Sequence, residues 1–114
     1  MSSSLVFDKS MVFALAILKV AQSLSDQHYY PLSDQVIRSG TGIGANISEA
    51  LEAQSRKDFV HKMSIALKEA SETKYWLLIL RESDLLSEDY HYLNNDVDEI
   101  YSMLTSIVKT SKSK

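Results

Sequence analysis

Cysteine is absent from the sequence, which removes disulfides, thiolate metal sites and cysteine nucleophiles together. Proline occurs once and glycine three times in 114 residues, a scarcity of chain-breakers that favours long helices over a turn-rich sandwich. No long hydrophobic run is present either. The most apolar stretch, Met11–Leu18, falls well short of the ~20 residues needed to span a bilayer. Lys9 precedes that run, but no small-residue cleavage site follows it, so no secretory leader is expected and the reading places the protein in the cytoplasm, with no membrane partner. A basic excess is missing as well. The net charge of -3 argues against a domain whose main work is coating nucleic acid, while leaving room for a local basic patch.

What remains is ordinary globular material, 45% hydrophobic and 24% charged, in a chain long enough for one modest core. Asp8 reads as the N-cap of a first helix running to about Ser25, with Phe13, Ile17, Val20 and Leu24 in one row. Ala14, Leu18 and Ala21 widen that row beyond what a two-helix seam requires. Pro31 suits the first turn of a second helix, expected over about Leu32 to Ala53. Its core row is Leu32, Val36, Ser39 or Gly40, Ile43, Ile47 and Ala50. Ser55 and Asp58 form a capping-box-like start to a third helix reaching about Ser83. Phe59, Met63, Ala66, Ala70, Thr73, Leu77 and Leu80 are its core, flanked by Val60, Leu67 and Trp76. Ser87 reads as the cap of the fourth helix, with Glu88 and Asp89 in its first turn, where the helix dipole favours negative charge. Tyr90, Leu93, Val97, Ile100, Leu104 and Ile107 carry its stripe to about Lys109, and Leu86 lies just ahead of the cap. Short connections force antiparallel neighbours. The expected fold is therefore all-α, an antiparallel up-down-up-down four-helix bundle, forming one domain over 1–114 with disordered tails at about 1–4 and 110–114.

All three glycines fall within Gly40–Gly44. The segment GTGIGA has the look of a nucleotide-binding fingerprint, but no strand precedes it and the apolar period runs through it in phase. A phosphate cradle needs free backbone N–H groups, and a mid-helix segment has none to offer. Gly40 and Gly44, four apart on one face, instead let a neighbouring backbone come close.

From Gln35 to Leu86 the sequence resembles the family of 23S ribosomal RNA intervening-sequence proteins, also called four helix bundle proteins. Arg38, Asn46-Ile47-Ser48-Glu49, Phe59, Ile65-Ala66-Leu67 and Glu69 with Glu72 stand where that family's pattern has them. Ala50 replaces a glycine common among relatives, which suggests a slightly longer second helix. The resemblance implies a homo-oligomer, a ring of five copies. It also implies kinship with a retroelement accessory protein that contacts nucleic acid and a reverse transcriptase. For most of the family it implies no established activity and no cofactor.

Arg38, Asn46, Glu49, Glu69 and Glu72 lie at the edges of the apolar rows of the second and third helices. They are expected to form a polar network between helices or subunits, with Arg38 on a carboxylate and Asn46 bonding across helices, since buried charges need partners. A metal reading meets Glu88-x-x-His91 once and Asp58-x-x-His61 as a variant. Both acids sit in a first turn with capping work already, so no metal site is expected. No serine stands in a strand-to-helix elbow, and no His/Asp spacing suggests a triad, so no catalytic residue is expected. Arg56, Lys57, Lys62 and Lys68, with His61, make a basic start to the third helix, a possible contact for phosphates. Asp84 to Glu99 holds acids and neither lysine nor arginine. Such complementary patches can steer a head-to-tail contact of the kind that closes rings. Tyr75, Trp76 and Ile79 form an apolar flank expected at a subunit interface. The favoured function is a non-enzymatic homo-oligomeric scaffold that binds a protein or nucleic-acid partner; the alternative is a nucleic-acid-binding accessory factor.

Overall fold

A computed structural model describes residues 3–114. Four α-helices follow one another: α1 Ser3–Asp26, α2 Tyr30–Leu51, α3 Arg56–Glu82 and α4 Tyr92–Lys112, with a short 3₁₀ turn at Glu88–Tyr90 ahead of α4. They form an antiparallel up-down-up-down bundle 46 Å long and about 20 Å across. α2 packs broadly on α1 and α3, and α3 on α4, while the α1–α4 seam is the thinnest. The core is where the periodicity put it: Phe13, Ile17, Ile43, Ile47, Met63, Leu77, Leu80, Leu93 and Leu104 are all buried. Leu32 and Phe59, expected in the core rows, pack against it half-buried.

Several boundaries differ from the sequence reading, each for a physical reason. α1 begins at Ser3, so Asp8 lies a turn inside it and is not an N-cap. Val6 is fully buried in line with Ser10 and Phe13, which draws the helix back toward the terminus. Of the tail expected at 1–4, Met1 and Ser2 lie outside the described residues, and Ser3 and Ser4 are helical. α2 starts at Tyr30 with Pro31 in its first turn, runs unbroken through all three glycines and includes Ala50, but stops at Leu51, short of Ala53. Ser55 caps α3 by accepting from the Asp58 N–H at 3.1 Å. Ser87 accepts from the Asp89 N–H at 3.4 Å, yet what it caps is the 3₁₀ turn. α4 proper starts after His91. Leu86, just ahead of that turn, is buried and anchors it.

Two helix ends are built without glycine. After α1, His28 takes φ 67°, and the N–H groups of His28 and Tyr29 donate to Ser25 O and Leu24 O at 2.9 and 2.8 Å. After α3, Asp84 takes φ 61°, and Asp84 and Leu85 donate to Arg81 O and Leu80 O at 3.2 and 3.0 Å. Both are Schellman caps, which usually place glycine at the left-handed position. They satisfy carbonyls that would otherwise be orphaned and turn the chain sharply into the next helix.

Candidate functional site

The glycine segment of α2 positions the polar residues around it. A Cβ at Gly40 would stand 2.7 Å from Ile17, and one at Gly44 would stand 3.0 Å from Ser10 Oγ. The two glycines therefore let α1 approach closely, as their spacing predicts. Ser10 tolerates burial there because its hydroxyl donates to Phe7 O at 2.7 Å. Gly42 faces the other way: a Cβ there would stand 2.7 Å from Glu69 Oε2. Its bare backbone leaves room for a carboxylate on the α2–α3 seam.

That carboxylate belongs to a cluster. Arg38 of α2 reaches across to Glu72 of α3, its partner in an ion pair, and lies 3.5 Å from Glu69. The guanidinium also donates to Gln35 Oε1 at 2.8 Å. Glu72 accepts a further bond from Trp76 Nε1 at 3.1 Å. Burial raises the Glu69 carboxyl above its ordinary value, Arg38 pulls it back, and Glu72 adds to the rise. One cation thus holds two neighbouring acids, with an indole N–H sharing one of them.

Glu49 stands apart from this cluster, paired with Lys62 at 2.9 Å across the same seam. Asn46 corrects the expectation made for it. Its amide donates to Gly42 O at 2.8 Å in its own helix and does not bond across helices; a short side chain finds the carbonyl one turn back before it can reach α3. The polar set is thus two separate cross-helix links, Arg38 with Glu69 and Glu72 and Lys62 with Glu49, with Asn46 bonded only within its own helix.

The remaining predicted residues are scattered. Trp76 is half-buried against the core with its ring 5.3 Å from Tyr75, Ile79 is half-buried, and Tyr75 is exposed. Leu78, which the sequence reading passed over, is exposed beside Tyr75; both line a groove between α3 and α4. Lys57, His61 and Lys68 face solvent, whereas Lys62 is occupied by Glu49. Arg56 donates to the Lys114 carbonyl, which brings the C-terminal lysines beside the start of α3. His91 lies with Nε2 3.3 Å from Leu86 O. Among the described residues, no three His, Asp or Glu side chains gather into a metal site, and no helix is long and apolar enough to cross a membrane.

The arrangement matches a known family. A family model described as 23S rRNA-intervening sequence protein matches residues 2–106. The chain belongs to that family. A solved structure from Bacteroides thetaiotaomicron, a protein of unknown function from the S23 ribosomal protein family, is similar to it at 46% identity and a TM-score of 0.88. That similarity covers 96% of this chain and 99% of the other. No curated protein matches. The fold is thereby shown, and neither match names a reaction. Of the residues that carried the resemblance, Arg38, Glu69 and Glu72 form the α2–α3 cluster, Glu49 pairs with Lys62, and Ile47 and Ala66 are buried in the core.

Proposed function

We propose that this chain is a non-enzymatic, homo-oligomeric helical scaffold of the cytoplasm, a ring of five copies by the family resemblance, whose surface engages a protein partner. The observation that carries this reading is the make-up of α1. Its inner side packs Phe13, Ile17 and Val20 into the core, yet its outer side is apolar as well. Val12 is 65% and Leu15 58% exposed, with Leu5, Met11 and Leu18 about half exposed around them. With the other face of α1 already in the core, an exposed apolar patch of this kind is typical of an interaction site. The polar side chains support a structural role in the same direction: Arg38 bridges Glu69 and Glu72 across the α2–α3 seam, as groups that lock helices in register do.

Native mass by multi-angle light scattering tests the proposal. A mass of about five chains is expected; a single-chain mass at high protein concentration would overturn it.

The alternative, nucleic-acid binding, is favoured by one specific observation. The Arg56 contact with Lys114 adds Lys109, Lys112 and Lys114 to Arg56 and Lys57 at one end of the bundle. Fluorescence anisotropy with a generic RNA or DNA duplex measures it. Binding that weakens steeply between low and moderate salt, and is lost on Lys57→Glu, would move this reading ahead of the first.

A further inference from the structure

Among the described residues, the exposed apolar sides of α1 and α3 differ in charge. On α1, Val12 borders a groove of about 250 Å³ shared with α4 and floored by Phe13 and Ile100, and Leu15 is exposed one turn further along the helix. Asp8, Asp96 and Glu99 line it against one cation, Lys9, and Lys9 is taken by Glu99. Burial and the nearby Glu99 raise the Asp96 carboxyl and Lys9 partly offsets them, so three acids share one cation on this side. On α3, Tyr75 is 57% and Leu78 52% exposed, and they border a groove of about 410 Å³ on the other flank of α4. Its charged residues are Lys74 and Arg81 against Asp98. Lys74 is held by Asp98 at 3.3 Å and by the Tyr101 ring. Arg81 has only a loose contact with Glu82 at 3.9 Å and remains half exposed.

The two sides cannot meet within one chain, because α1 and α3 each pack on α2 and α4 and stand diagonally across the bundle. They can meet between chains. We infer that the acidic α1–α4 side of one copy seats the basic α3–α4 side of the next, with Tyr75 and Leu78 against Val12 and Leu15 and Arg81 directed at the carboxylates of Asp8 and Asp96. This rests on the homo-oligomer reading and names its contact surfaces. A bundle side 46 Å long and about 20 Å wide has room for the ~800 Å² per partner of a standard interface. A twofold pairing of α1 with α1 would leave the α3 side bare, with Asp96 still sharing its nearby cation, Lys9, with Glu99. Because the contact uses two different patches, it propagates head to tail and closes into a ring when the rotation permits.

Complementation of two variants tests this. Val12→Glu damages only the α1 side and Leu78→Glu only the α3 side. Both positions are exposed, and helical circular dichroism checks that the fold is intact. Each variant alone is expected to lose the oligomer. Mixed, they are expected to form a one-to-one pair with the mass of two chains, through the one intact contact, and to go no further. If Leu78→Glu keeps the full native mass, or if the mixture stays at the mass of one chain, the pairing is overturned. A monomeric wild-type protein would instead sink the homo-oligomer reading itself, so the two failures are separable.

Discussion

His28 and Asp84 hold left-handed backbone with a Cβ attached, a conformation that costs most L-residues roughly 1–2 kcal/mol and glycine almost nothing. His28→Gly should therefore stabilise the protein by about 0.5–1 kcal/mol after the added freedom of the unfolded chain is subtracted, read as a higher midpoint in chemical denaturation. Gly40 predicts the reverse. The methyl group of Gly40→Ala would press on Ile17, which sits in the core and has nowhere to move. The expected loss is about 1–3 kcal/mol, read as a lower midpoint in the same denaturation experiment. Arg38→Ala leaves Glu69 and Glu72 side by side without their cation. The Glu69 carboxyl should then titrate higher than in the wild type, followed by carbon-detected NMR. Of these residues, Gly40 and Gly44 were legible because their spacing was visible against the helical period. Gly42 was not: its partner, Glu69, is far away in sequence, and only the packing of α2 on α3 brings them together.

The helices themselves were legible as long periodic rows, because burial of one face is what fixes them. Their ends were harder to read. A cap is a local competition between side-chain oxygens and backbone, and several candidates compete. Asp8 looks like a cap until Val6 is seen to belong to the same row as Ser10 and Phe13. Ser87 does accept a capping bond, but the tight connection forces a 3₁₀ turn before α4 can begin. The α1–α4 seam also has an element-level property that no local pattern shows. Asp96 and Glu99 of α4 face Asp8 of α1, and burial raises the Asp96 carboxyl above its ordinary value of 3.8. A carboxyl with a raised folded-state pKa disfavours the fold fully at neutral pH, and the penalty fades as pH falls through the raised value. Asp96→Asn should therefore melt higher than the wild type near pH 7, and the difference should shrink as the pH is lowered toward 4. A difference that grows on acidification would contradict this account of the seam.

At the scale of the whole molecule the charges sort by position more than by number. The net charge of -3 hides a basic end, where Arg56 meets the C-terminal residue, and an acidic stretch from Asp84 to Glu99. If complementary sides steer assembly, high salt should slow association more than it speeds dissociation, a difference that stopped-flow dilution experiments can measure. The sequence did not reveal which sides those are, because Val12, Leu78 and Asp96 are brought to facing surfaces only by the order of the helices around the bundle.

The bond from the Trp76 indole to Glu72 has a practical consequence. The sequence contains a single tryptophan, half-buried and tied to the same carboxylate that holds Arg38. Its intrinsic fluorescence is therefore a reporter confined to the α2–α3 seam. An unfolding curve followed by emission should overlay one followed by helical circular dichroism if the bundle melts as a unit. An emission change that comes first would mean this seam opens while the remaining helices are still in place.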